Sequence, residues 1–147
     1  MKYSSASKGR TFVIRLEDGD IIHESIEKFA KDMDIKAAFF NALGGVDKGS
    51  VLITGPKEGR GKKVIPMEYT LEETFEAQGT GTLIPEEKGD STVHMHLSCG
   101  RKDKTITGCI RSGVKVWHVM EIILTELTDT TAMRKPDETT GFNLLIP

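Results

Sequence analysis

The stretch Val93–Gly113, VHMHLSCGRKDKTITGCIRSG, carries His94, His96 and Cys109. Imidazole nitrogen and thiolate sulfur are donors that suit zinc, and two His with one Cys leave a fourth coordination position for water or a substrate. An ion held in that way lowers the pKa of a bound water towards about 7. A carboxylate beside it could then act as a base, and Glu76 and Glu121 are the candidates. His118 is a substitute third ligand, and its alternation with Val116, Met120, Ile122 and Leu124 predicts partial burial. His23, at the start of an amphipathic segment, is expected to face solvent. The competing reading is an ordinary hairpin whose histidines are hydrogen-bonded on a half-buried face.

The hairpin's own alternation decides whether the three residues can meet. Side chains change face at each residue of a strand, so His94, His96 and Ser98 share one face, and Val93, Met95, Leu97 and Cys99 share the other. Apolar positions must meet apolar positions across the pair, which makes the numbers of opposed residues sum to an odd value. A turn at Arg101–Lys102 sets Leu97 opposite Ile106, Val93 opposite Ile110 and His94 opposite Cys109. Shifting by two residues puts Cys109 opposite His96 instead. Opposed Cβ atoms are about 4.5–5.5 Å apart and diagonal ones roughly 7–8 Å, so either register keeps the cluster. The same parity sends Cys99 to the opposite face from Cys109, which argues against a disulfide.

Other segments must hold this hairpin. Thr11–Leu16 reads as a strand closed by the turn Glu17–Asp20. Ile21–Met33 places Ile22, Ile26, Phe29 and Met33 at helical spacing, with Asp20 positioned to cap it. Ile35–Val46 and Lys48–Thr54 suggest two strands around a glycine passage. Ile65–Pro85 gives two more, broken near Gly79 and Gly81, with LEETFEA open to a short helical turn. Val114–Leu127 is a long β-branched strand, and the polar tail ends in FNLLIP, which predicts a short edge strand. One helix among many strands makes the chain α+β, a mostly antiparallel sheet with a helix packed on one face. Residues 1–147 form a single domain, with its core at about 11–127 and a tail at 128–147.

Composition narrows the function classes. Hydrophobic residues at 37% are enough for a core, and a net charge of −2 supplies no global field for nucleic acid. No apolar run approaches the ~20 residues of a membrane span. MKYSSASKGR has no apolar signal-peptide region, and two cysteines are consistent with free thiols, so a cytoplasmic location is expected.

The order of segments resembles the PPC domain, conserved in plants and prokaryotes, in its stand-alone prokaryotic type. The resemblance runs from Thr11 to Leu127. It is carried by FVIRLEDGDIIHESIEKFAKDMDIKAAFFNALGGV, then FEAQGTGTLI, HMHLSC, the Gly-containing return strand and VMEIILTEL. It implies a homotrimer whose interfaces cover much of the sheet, and a DNA-binding label that prokaryotic members carry by analogy. Many such members have an HxH strand and a third histidine on the return strand. His94 and His96 match the first two, and Cys109 stands where that third histidine would be.

Three functional expectations follow. The first is a homotrimeric metal- or small-ligand-binding module using His94, His96 and Cys109, with zinc the expected ion. The second is a DNA-associated transcriptional regulator whose basic loop, GPKEGRGKK, places Arg60, Lys62 and Lys63 on phosphates or beside a DNA-binding partner. That loop is not an AT-hook, because Gly61 rather than Pro follows Arg60. The third is a metal-dependent hydrolase, for which no substrate or catalytic activity can be assigned.

Overall fold

The computed structural model describes residues 1–60 and 64–147. The elements are β1 (Ser7–Glu17), α1 (Ile22–Asp32), β2 (Ala38–Val46), β3 (Val51–Pro56), β4 (Pro66–Thr70), β5 (Phe75–Pro85), β6 (Ser91–Arg101), β7 (Lys104–Cys109), β8 (Val116–Thr128), β9 (Met133–Pro136) and β10 (Asn143–Ile146). Among the described residues, eight strands form one antiparallel sheet in the order β1-β8-β2-β5-β6-β7-β3-β4. The last two strands pair as a separate hairpin.

The expected α+β architecture is present, and period-two alternation explains it. Phe40 and Ala42 of β2, Met95, Leu97 and Cys99 of β6, and Met120, Ile122 and Leu124 of β8 all point inward and are buried. Ile22, Ile26 and Ala30 recur every four residues on α1 and are buried with them. Phe29 meets Phe12 edge to face at 5.2 Å. The Glu27 carboxylate accepts the Val93 backbone N–H at 2.8 Å, tying the helix to the hairpin strand.

The helix ends differ from expectation at one terminus. Asp20 does not cap it: its carboxylate accepts the Glu17 N–H at 2.9 Å and closes the preceding turn, leaving Ile21 at the cap position. At the other end Asp34 takes φ +53°, and the Asp34 and Ile35 N–H groups donate to the Lys31 and Ala30 carbonyls. That is a Schellman closure with aspartate where glycine is usual.

Two glycine readings are corrected. β5 runs unbroken through Gly79 and Gly81. These glycines are there for close approach: a Cβ on Gly81 would fall inside the Phe40 ring, and one on Gly79 would strike the His96 carbonyl. Likewise Gly44 and Gly45 lie within β2 rather than between strands. They face a bulge in β8, where Gly44 pairs with Met120 but Gly45 pairs with Trp117. LEETFEA is a bend at Glu72–Glu73 leading into β5, not a helical turn. FNLLIP forms β10 against β9 instead of adding to the edge of the main sheet.

Candidate functional site

Across the outer face of the sheet, directly opposed residues form one continuous row: Val13, Ile123, Asn41, Thr80, His96, Cys109 and Ile53. The row exists because every strand pair along it is antiparallel and in register. His96 therefore lies opposite Cys109, the second of the two registers open from sequence. The hairpin turns at Lys102–Asp103, one residue later than the first register requires, and Lys102 takes φ +55° to close it.

The His94 and His96 rings stand 5.2 Å apart, centroid to centroid, at 77°. Both residues are exposed. Cys109 is only 7% exposed, although it belongs to the outer face. It lines a depression of about 260 Å³ together with His96, Arg111, Ile53, Pro56 and Phe142. Cys99 points into the core, where burial pushes its thiol up to about 11. Both cysteines are free.

Partial burial lowers the proton affinity of His94 even though the residue keeps a solvent-exposed surface. Repulsion from Arg134, His96 and Arg111 adds to the effect. That favours the neutral imidazole, which is the form that ligates metals. Metal–nitrogen bonds of about 2.0–2.1 Å in a tetrahedral arrangement put two bound imidazole centroids roughly 5 Å apart, and the observed pair matches that spacing. The donor types and the histidine spacing thus fit a transition metal. Among the described residues, however, no three His, Cys, Asp or Glu side chains are grouped closely enough to hold an ion.

The remaining candidates lie elsewhere. Glu121 is on the outer face three strands from β6, roughly 14 Å at the usual spacing. Glu76 pairs with Gly100, four residues along β5 from the Thr80–His96 pair, or roughly 13 Å. His118 is not partly buried. It sits in the β8 bulge with φ +60°, exposed, its ring 4.4 Å from that of Trp117 and its N–H donated to Asp18. The bulge breaks the alternation that predicted burial. His23 is half-buried rather than solvent-facing, and its Nδ1 is shielded with no hydrogen-bond partner among the described residues. Arg60 is exposed in a turn after β3, and Lys62 and Lys63 lie outside the described residues.

Two cationic residues were given no role from the sequence. Alternation along the return strand groups Arg111 with Cys109, although Arg111 lies in the turn just after β7. Arg134 arrives from the tail, and no local pattern announces it. Its Nη2 donates to Thr82 Oγ1 at 3.0 Å, and Thr82 is directly opposite His94.

Among the described residues, no helix is long and apolar enough to cross a membrane. A curated relative, the bifunctional protein GlmU of a Synechococcus strain, is 26% identical over 136 residues, 90% of this chain. The chain spans only 20% of that relative's length. A plant- and prokaryote-conserved protein of Pyrococcus horikoshii superposes with a TM-score of 0.86 at 27% identity, covering 100% of this chain and 98% of that one. A protein of Archaeoglobus fulgidus described as metal-containing gives 0.85 at 24% identity, with 100% of both chains covered. A Bacteroides thetaiotaomicron protein with a provisional DNA-binding description gives 0.76 at 17%, covering 96% of each chain. The last two likenesses are to the fold alone. The sequence matches the family described as the Plants and Prokaryotes Conserved (PCC) domain over residues 3–128, and the chain belongs to that family.

Proposed function

We propose that this protein is a homotrimeric module that binds a divalent transition metal, zinc foremost, on the outer face of its sheet through His94, His96 and Cys109. The observation that carries the reading is the 5.2 Å separation of the two imidazoles, with Cys109 directly opposite His96. A side-chain rotation of Cys109 towards the pair completes a three-ligand set within the reach of one cross-strand contact. The bound ion would supply a Lewis-acidic centre with a free position. The hydrolase reading has weaker support, because Glu76 and Glu121 stand far along or across the sheet from the pair.

The homotrimer is supported by the apolar residues that the outer face leaves uncovered. Val13 is 83% exposed, Leu43 61% and Ile123 46%, and Val13 and Ile123 are directly opposed. Contiguous exposed apolar area of this kind marks association surfaces. Exposed Arg60 favours the DNA-associated reading and the net charge of −2 opposes it, so that reading stands second.

Elemental analysis of protein purified without a metal-affinity tag tests the metal reading, beside His94→Ala/His96→Ala. The expected result is near-stoichiometric zinc or another transition metal that disappears in the double variant. Equal metal in both samples, or none in the wild type, would remove the reading.

A further inference from the structure

Two guanidinium groups lie beside the histidine pair, and among the described residues no carboxylate forms an ion pair with either. Arg111 follows Cys109 by two residues and lines the same depression as His96 and Cys109. Arg134 reaches the other side of the pair from β9. Among the described residues, its side chain makes one hydrogen bond, Nη2 to Thr82 Oγ1, and its Nε is shielded from solvent with no partner. Neither guanidinium forms an ion pair among the described residues. The acidic neighbour of Arg134 is Glu86, whose Oε1 already accepts from Thr92 Oγ1 and Asn143 Nδ2, each at 3.2 Å.

This leaves a local concentration of positive charge on a chain that is slightly acidic as a whole. Thr82, which accepts from Arg134, lies directly opposite His94, and Arg111 lines the depression that His96 also lines. Two planar donor forks and two imidazoles gather here. Guanidinium forks match the two-oxygen edge of a carboxylate or phosphate, and the geometry adds specificity as well as energy.

We infer that Arg111 and Arg134, with His94 and His96 between them, form a binding site for a small oxyanion, a carboxylate or a phosphate. The inference goes beyond the metal reading and does not need it. Where a metal is present, the same anion would sit beside its free coordination position. Where none is present, the arginines alone supply the charge.

The test uses the full chain freed of metal by a chelator that is then removed. Inorganic phosphate and succinate are titrated separately at constant ionic strength, and the histidine ring resonances and the heat of binding are followed. Saturable binding of phosphate, of succinate or of both is expected. Arg111→Gln and Arg134→Gln should each weaken it by about ten-fold, the loss of one charge-assisted hydrogen bond. Arg111 is exposed and has no side-chain hydrogen bond among the described residues, so its variant should fold even where the Arg134 variant does not. Lys28→Gln on the helix should change nothing. Phosphate binding alone names a phosphate site, and succinate binding alone a carboxylate site. No saturable binding of either anion, or unchanged affinity in the Arg111 variant, overturns the inference. Metal content measured on untreated protein reports on the metal reading separately.

Discussion

The two faces of the main sheet are built from alternating residues of the same strands, yet they follow opposite rules. The inner face is closed. Met95, Leu97 and Cys99 of β6 are buried, and Gly81 makes room for the Phe40 ring. The outer face, one residue out of phase, carries His94, His96 and Ser98 of the same strand beside exposed Leu43 and Ile123. The two cysteines show the contrast in a single residue type. Cys99 is a core hydrophobe whose thiol burial holds in the protonated form, whereas Cys109 lines a depression next to a histidine. The inner face therefore carries stability, and the outer face is free to carry chemistry and association.

Breaking the inner face should give the largest effects. Phe40→Ala removes a fully buried ring and should cost roughly 3–5 kcal/mol in denaturant unfolding. A loss well under that range would mean the Gly81 cleft collapses easily. On β6 the comparison becomes a direct one between neighbours. Leu97→Ala should cost about 2–5 kcal/mol, while His96→Ala should stay within about 0.5 kcal/mol of wild type. Equal costs for the two would erase the distinction between faces.

Next comes association. Leu43→Glu combined with Ile123→Glu places charge on the exposed apolar patch, and sedimentation should show the assembled species give way to monomer with little change in melting temperature. An unchanged sedimentation coefficient would free this face from any role in assembly.

The smallest effect is expected at the rim, where the inner face meets solvent and the contrast blurs. The Glu126 carboxylate accepts hydrogen bonds from Arg10 at 2.7 and 2.9 Å, which hold it below the ordinary carboxylate range. Its folded pKa is thus lower than its unfolded one. The stabilisation is present at neutral pH and lost as pH falls from 4.5 through the lowered folded value. Glu126→Gln should flatten that acid limb of the stability curve; an unaltered limb would show that the exposed pair contributes nothing measurable.

What the sequence made legible was whatever depends on parity. Alternation alone sorted His94, His96 and Cys109 to one side of the hairpin and Cys99 to the other, and the helical stripe of Ile22 and Ile26 located the covered face. What it hid depends on single backbone torsions and on distant chain. The register turns on Lys102 adopting a left-handed conformation that glycine or asparagine would have signalled. The β8 bulge moved His118 out of phase, and only the paired Gly44–Gly45 opposite it gave a hint. Glycines in β5 read as breaks because close approach to a ring or a carbonyl leaves no local mark. Arg134 joins the site through the fold of the tail, and nothing near it in sequence points to His94.

The most direct test of the account is X-ray absorption at the metal edge of the purified protein, with Cys109→Ser as its partner. A mixed shell of imidazole nitrogen and one sulfur at about 2.3 Å, with the sulfur lost in the variant, is the predicted result. A shell without sulfur, or protein with no transition metal to measure, would contradict a metal held by His94, His96 and Cys109.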